Sequence, residues 1–423
     1  MHIKNNLLLK CLLIIAVLLI AAYLTSSQLL SQNNYAQYRY ESFWNDPDQY
    51  DVWFMGSSHS YYSVYPMKLY ESCGITSYDI ATPSSTLPMT YWTLMNALEA
   101  GTPEVVFVDV YHIDMEETLV SDLKKIHNSF DAMPLTATKI NAIRDLVSDS
   151  DLRRELYFPA FRRNGKYESL TRADLPERFK LNKGAKLDTD IDPVKPKQSS
   201  EELHDGTTGT LYLKKIINEC ESRNIDLVIT AFPFNGDDIK LHGLNTGISI
   251  AEDYGVPTLD MSYCTDLIDY RYEFSQDGHL NYSGSVKMTE FIGDYLTENY
   301  ELEDHRKTDD SIRKKWNQDL VRYKNYLIGK LKTEKKLREH LLMCSDKNAF
   351  ELKIYISDNA DYDSVTGMIL EDLAPEQFLT YKQASAYSGR HFDCDVMTVI
   401  SDADSSEIVD ISFFDNGKRV NGN

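Results

Sequence analysis

The sequence predicts an α/β protein. A parallel sheet with helices on both faces follows an N-terminal transmembrane helix and precedes a small C-terminal α+β appendage. Three observations carry this reading. Strand-like and helix-like segments alternate from residue 51 to residue 302, the pattern of a parallel sheet wrapped by helices. An almost unbroken apolar run fills residues 7–24. Beyond residue 345 the texture changes to β-rich runs separated by turn residues.

The apolar run reads LLLKCLLIIAVLLIAAYL, with Lys10 its one charge. A helix needs about 20 apolar residues to cross a hydrocarbon core. Leu7 to about Ser26 supplies that length, and Lys10 reaches back to the headgroups. Lys4 and Lys10 flank the N-terminal side, which orients the N-terminus to the cytoplasm. Residues 1–26 are therefore expected to be a cytoplasmic tip and single-pass anchor in the cell membrane, with the rest of the chain outside. A cleaved signal peptide is the competing reading, although no small-x-small site follows Leu24.

Residues 27–50 read as a polar, aromatic stalk. The main domain, 51–302, opens on the strand DVWFMG and a helix near 64–72. TSYDIA is strand-like, TYWTLMNALEAG helical, and EVVFVDVY (104–111) a strongly apolar strand. Residues 113–200 are mixed and charged, and are expected to be an insertion over the sheet edge. Alternation resumes with the amphipathic helix TLYLKKIINECESRN, the strand IDLVITAFPF (225–234), the helix GLNTGISIAEDYG and the strand VPTLDMS. YSGSVKMTEFIGDYL is the last helix of this domain. Ile312, Trp316, Leu320, Tyr323, Leu327 and Leu331 then recur every three or four residues, which predicts one long amphipathic helix over 303–344. In 345–423, FELKIYIS, DVMTVIS and EIVDISFF read as strands, and Asp415-Asn416-Gly417 as a turn.

Composition narrows the function. A net charge of −21 argues against nucleic acid, whose phosphates require basic surfaces. The six cysteines form no CxxC pair, so neither a zinc site nor a disulfide framework is expected. His204-Asp205-Gly206 and Gly236-Asp237-Asp238 lack ligand partners at helical spacing and read as loops. Neither a metal nor a cofactor is expected. Arg162 and Arg163, in FRRNGKY, read as a solvated face.

Three segments carry candidate chemistry. The first is Gly56-Ser57-Ser58-His59, just after a strand. A serine hydroxyl is a weak nucleophile until a neighbouring base takes its proton. The second is SQDGHLNYSG (275–284), which offers Asp277 and His279 before the last helix. Histidine suits general-base work near neutral pH, and a carboxylate orients it. The third is ATPSSTLP (81–88), whose small residues let backbone N–H groups face an oxyanion. His59 reads as a solvated turn histidine, and Asp109 is assigned no chemistry.

This arrangement resembles the SGNH/GDSL hydrolase superfamily over residues 50–300. The resemblance implies a flavodoxin-like three-layer fold, with the nucleophile in a GDS-type motif after the first strand. Ser58 then takes the nucleophile's place, His279 that of the base, and Ser84 that of the small oxyanion-hole residue. The superfamily's DxxH spacing falls on Gln276 here. Asp277 gives DxH, as in the alginate O-acetyltransferase relatives, and is the expected acid. The superfamily's oxyanion asparagine has no counterpart in VFVDVYHID, where Tyr111 or His112 follows the strand and Tyr111 is the expected donor. The GSS variant with an N-terminal anchor is similar to the bacterial cell-envelope branch, including the D-alanyl-lipoteichoic acid biosynthesis protein. That branch implies a serine esterase or O-acyltransferase acting on acyl esters of cell-envelope carbohydrate or polymer. It also implies a multi-spanning, acyl-exporting membrane protein as partner. The rival expectation is a non-catalytic envelope scaffold or polymer-binding protein that retains the fold.

Overall fold

The computed structural model describes residues 9–21, 42–44, 50–115, 123–131, 133–157, 181–389 and 392–420. Five parallel strands form the first sheet: β1 (Val52–Met55), β2 (Ser77–Asp79), β3 (Val105–Asp109), β4 (Asp226–Ala231) and β5 (Thr258–Asp260). Their order is β2-β1-β3-β4-β5, the flavodoxin-like order, with a topological switch between β1 and β3. Such runs are apolar throughout because both faces are covered. Trp53, Met55, Val106, Val108, Leu227 and Ile229 point into one core, while Val52, Phe54, Val105, Phe107 and Val228 point into the other.

Helices fill both faces. One side carries α3 (Leu87–Ala97), α7 (Thr208–Ser222) and α8 (Asp238–Asp253), through residues such as Leu94, Ile216 and Leu244. The other carries α9 (Tyr282–Asn299), through Met288, Ile292 and Leu296. Two short helices, α1 (Ser58–Ser63) and α2 (Pro66–Cys73), join β1 to β2. Within 113–200, α4 (Leu123–Phe130), α5 (Ala137–Leu146) and α6 (Ser150–Tyr157) are helical. Residues 185–200 have no regular secondary structure. The segment 183–194 crosses the carboxyl edge of the sheet as a strap: its backbone bonds Asp79, Tyr61, Tyr282 and Tyr270 in turn.

The C-terminal unit differs from the expectation at one place. The single helix expected over 303–344 is two, α10 (Ser311–Thr333) and α11 (Leu337–Met343). Glu334 turns extended, and the Arg419 guanidinium takes up the Leu331 and Glu334 carbonyls at 2.8 and 2.6 Å. The interruption, Glu-Lys-Lys, contains no glycine or proline, so periodicity could not mark it. Beyond lies a mixed sheet of order β10-β9-β8-β6-β7, built from β6 (Phe350–Ile356), β7 (Gln377–Phe378), β8 (Val396–Asp402), β9 (Ile408–Asp415) and β10 (Lys418–Val420). Helices α12 (Ser364–Leu373) and α13 (Tyr381–Ser388) accompany it. Asn416 and Gly417, both at positive φ, form the β9–β10 turn.

Of the expected stalk, residues 42–44 and 50 are described, and Phe43, Trp44 and Tyr50 pack into the core. Phe43 is fully buried, with its ring centroid 5.0 Å from that of Trp53 and 5.5 Å from that of Tyr78. Near the N-terminus residues 9–21 form a helix with every side chain exposed. No helix among the described residues is long and apolar enough to cross a membrane. The remainder of the expected anchor, and Arg162 and Arg163, lie outside the described residues.

Helix α10 seats the C-terminal unit on the main domain. Trp316 is fully buried, 5.0 Å from the Tyr70 ring and beneath the Lys183 ammonium at 4.9 Å. Beside it lies an ion pair with both side chains fully buried, Lys68 with Asp346, and Tyr282 donates to the other Asp346 oxygen at 3.1 Å. Removing one partner of a buried pair strands the other's charge. Asp346→Ala should therefore lower the unfolding free energy by about 3 kcal/mol in a denaturant titration. A loss below about 1 kcal/mol would mean that Glu71 at 3.5 Å and Glu290 at 3.8 Å suffice as counter-ions.

Candidate active site

The site lies where the chain leaves the neighbouring parallel strands β1 and β3, outside the carboxyl ends of the strands, as the switch-point rule requires. Gly56 ends β1 at φ +127°, and a Cβ there would come within 2.8 Å of the Asp109 Cβ. Glycine thus lets the chain turn against the end of β3. Ser57 caps α1: its Oγ accepts the His59 N–H at 3.3 Å and donates to Asp109 Oδ2 at 2.9 Å. Ser58 is the first residue of α1, so its N–H has no partner within the helix. Tyr62 sits four residues on and shares the Ser58 face.

His279 arrives on the loop before α9. A bridge between Phe274 and Leu280, the Ser275 N–H to His279 carbonyl bond at 2.7 Å, and the Asn281 amide to the Tyr272 carbonyl at 2.7 Å pin that loop. His279 Nε2 lies 2.8 Å from Ser58 Oγ, and its Nδ1 lies 3.0 Å from the Gln276 carbonyl oxygen. A carbonyl only accepts, so Nδ1 carries the proton and Nε2 is the acceptor for the serine hydroxyl. That is the tautomer a general base needs. The Tyr62 ring stacks on the imidazole at 4.3 Å, and the Lys186 ammonium bonds the Tyr62 hydroxyl. Burial lowers the His279 pKa below its ordinary 6.5, against the raising effects of the Gln276 carbonyl and, more weakly, Asp277. The imidazole is neutral at pH 7.

Asp277 departs from the expectation. It is exposed, takes φ +61° at the corner of the turn, and acts on His279 only through space. The DxH spacing puts it one residue past the position that faces Nδ1. The backbone carbonyl of Gln276 occupies that position instead. No sequence motif marks a carbonyl, so residue types could not reveal it.

His59 is not a solvated turn residue. It is 3% exposed, its ring centroid 3.9 Å from that of Tyr111 and 4.8 Å from that of His279. Burial, followed by the neighbouring His279, holds its pKa well below 6.5, and its Nδ1 is buried without a hydrogen-bond partner. Asp109, also buried, is pushed up to about 7 by burial, with the Ser57 hydroxyl opposing. Tyr111 lies on the His59 ring with Lys240 5.2 Å above its own, and burial raises its phenol to about 12. It therefore keeps its proton as a donor. Ser84 occupies a turn closed by the Ser85 N–H to the Thr82 carbonyl at 3.1 Å and takes φ +56°. The Thr82 N–H bonds the Gly56 carbonyl at 3.1 Å, which ties that turn to the serine loop. His112 faces away toward Lys240, 3.3 Å from its ammonium. No group of His, Cys, Asp and Glu that could hold a metal exists among the described residues.

Solved structures similar to the chain include three described as hydrolases of ester bonds or lipids. A protein described as lipolytic, of the G-D-S-L family, from Desulfitobacterium hafniense shares 14% identity, with a TM-score of 0.32 over 58% of this chain and 98% of its own. A protein described as an acylhydrolase, from Bacteroides fragilis, shares 10%, with a TM-score of 0.29 over 58% of this chain and 86% of its own. A GDSL-like lipase from Bacteroides thetaiotaomicron shares 11%, with a TM-score of 0.32 over 63% of this chain and 99% of its own. No protein-family model matches the chain, and no curated protein matches it.

The carbonyl contact makes Asp277→Asn a mild change. It should lower kcat/KM by less than about tenfold, where removing the acid of a serine triad costs about ten-thousand-fold. A loss approaching the larger figure would show that Asp277 swings onto Nδ1 during turnover.

Proposed function

We propose that the chain is an extracytoplasmic serine esterase or O-acyltransferase acting on acyl esters of cell-envelope carbohydrate or polymer. The observation that carries the ester chemistry is the 2.8 Å contact of Ser58 Oγ with a His279 whose proton is held on Nδ1. Ser58 Oγ attacks the ester carbonyl as its proton passes to His279 Nε2. The resulting oxyanion is met by the Ser58 N–H, by the Ser84 turn and by the Tyr111 hydroxyl. His279 returns its proton to the leaving alcohol, which gives an acyl-Ser58 intermediate. Water, or a sugar hydroxyl, then loses its proton to His279 and attacks the acyl carbon, freeing Ser58. Water makes the enzyme an esterase, and a sugar hydroxyl makes it a transferase.

The apolar N-terminal segment with lysines on one side supports placement at the outer face of the cell membrane. A multi-spanning acyl-exporting protein would then supply the donor, and the cell envelope the acceptor.

Hydrolysis of p-nitrophenyl acetate by the chain should fall by at least about ten-thousand-fold in Ser58→Ala and in His279→Ala. A fluorophosphonate should label Ser58, as read by peptide mass. No hydrolysis, no labelling and no transfer to a glycan acceptor would favour the non-catalytic scaffold.

The pH profile provides a second test. The base works as neutral imidazole, and burial lowers its pKa, so activity persists as pH falls until that lowered value is crossed. The acid limb of kcat/KM should have its midpoint below 6.5. A midpoint above 6.5 would contradict the burial argument.

A further inference from the structure

The loop that carries His279 has two stems, and the C-terminal unit holds a tyrosine on each. On the stem ahead of His279, Tyr272 donates to Asp372 Oδ2 at 2.8 Å. On the stem beyond it, Tyr282 donates to Asp346 Oδ2 at 3.1 Å. Asp372 lies in α12 and Asp346 just after α11, so two separate elements of the unit reach the loop. Both tyrosines are buried, and burial followed by the neighbouring carboxylate pushes both phenols up. Each therefore keeps its proton as a donor. Lys287, on α9, adds a further tie: its ammonium lies 3.0 Å from Asp372 and 3.0 Å from Glu273. Glu273 is fully buried, and its carboxylate also takes the Ser283 hydroxyl at 2.5 Å and the Asp269 N–H at 2.8 Å.

The backbone carries these anchors to the histidine. The Asn281 amide donates to the Tyr272 carbonyl at 2.7 Å, and the Asn281 N–H to the Glu273 carbonyl at 3.0 Å. The stems are thus cross-linked next to the turn in which the Gln276 carbonyl faces His279 Nδ1. The strap provides a second route. Its Asp192 N–H bonds the Phe274 carbonyl at 2.8 Å, and its Asp188 carbonyl takes the Tyr282 N–H at 2.7 Å. Thr189, between them, donates to Glu334 at the end of α10 at 3.4 Å. Placement matters here because a shift of about 1 Å in a reacting group costs about a hundredfold in rate. A catalytic side chain on a loop keeps its place only through such supporting contacts.

We infer that the C-terminal unit braces the catalytic base, with Asp372 as a positioning residue that acts on His279 through Tyr272. That role rests on Ser58 and His279 being nucleophile and base. Asp372 is the residue to change, because its side chain is 47% exposed and Lys287 keeps Glu273 as a counter-ion without it. In full-length Asp372→Ala, kcat for p-nitrophenyl acetate should fall about tenfold while KM stays within about twofold. Tyr272→Phe should do the same. The double variant should lose no more than either single one, since both break one contact. Asp372→Asn still accepts the Tyr272 hydroxyl and should stay within about threefold of the parent. In Asp372→Ala, amide hydrogen exchange should rise at least about threefold over residues 270–281 and stay unchanged over α10. A role in stability alone would move both segments together. Unchanged kcat in both single variants, additive losses in the double variant or no rescue by asparagine would overturn the proposal. So would unchanged exchange over 270–281, or a rise that extends over α10. Hydrolysis that survives Ser58→Ala and His279→Ala would overturn the serine reading instead, and the exchange measurement would still decide whether the unit braces the loop.

Discussion

Ser58 and His279 are 221 residues apart in the chain and 2.8 Å apart in space, and much of the main domain serves that one contact. A hydrogen bond of this kind tolerates only a few tenths of an ångström. Its ends must therefore sit on rigid elements. The serine gains rigidity from a buried strand, from a glycine that brings Asp109 against the turn, and from Ser57, which ties the turn to β3. The histidine gains it from the Phe274–Leu280 bridge and from Asn281 at the start of α9. Both supports depend on the sheet order, because the connections that leave β1 and β3 part at the switch point and open a crevice there.

The surroundings of that contact are arranged to keep the imidazole neutral and aimed. A carboxylate at Nδ1 would stabilise the imidazolium strongly, whereas a backbone carbonyl aims the ring with less charge. Burial of His279 pulls in the same direction, and so, more weakly, does the Lys186 ammonium. The cost is a weaker base than a carboxylate-backed histidine. Around it sit groups that burial has neutralised or shifted: His59 below its ordinary value and Asp109 above. Such groups collect where water is excluded, which is also where a developing oxyanion is stabilised most.

The C-terminal unit is attached through chemistry that allows little play. Trp316 and the Lys68–Asp346 pair are buried at the junction, and Asp346 also reaches Tyr282, three residues from His279. On the unit's exposed side Lys336 and Lys418 face each other in an antiparallel bridge, with Lys336 paired to Glu339 at 2.8 Å. The strap over residues 183–194 spans the two regions, touching the C-terminal end of α10 and the aromatic ring stacked against the base.

Much of this was legible in the residues. Unbroken apolar runs alternating with 3.6-period segments determine a parallel sheet with helices on both faces, because only full burial suits such strands. Gly56-Ser57-Ser58 after the first strand and His279 before the last helix marked the two loops that meet, since a serine becomes a nucleophile only beside a base. What the sequence could not carry is whatever depends on the backbone or on distant packing. The carbonyl that orients His279 has no residue identity, so Asp277 was the natural but misplaced choice. His59 is charged or neutral, solvated or buried, only according to what Tyr111 and His279 do around it. The break at Glu334 comes from an arginine 85 residues later that takes the helix's last carbonyls. Local pattern determined the elements and the edge on which the site lies. Tertiary structure decided which atoms touch, because hydrogen-bond geometry is set by the approach of segments whose separation in sequence carries no record of it.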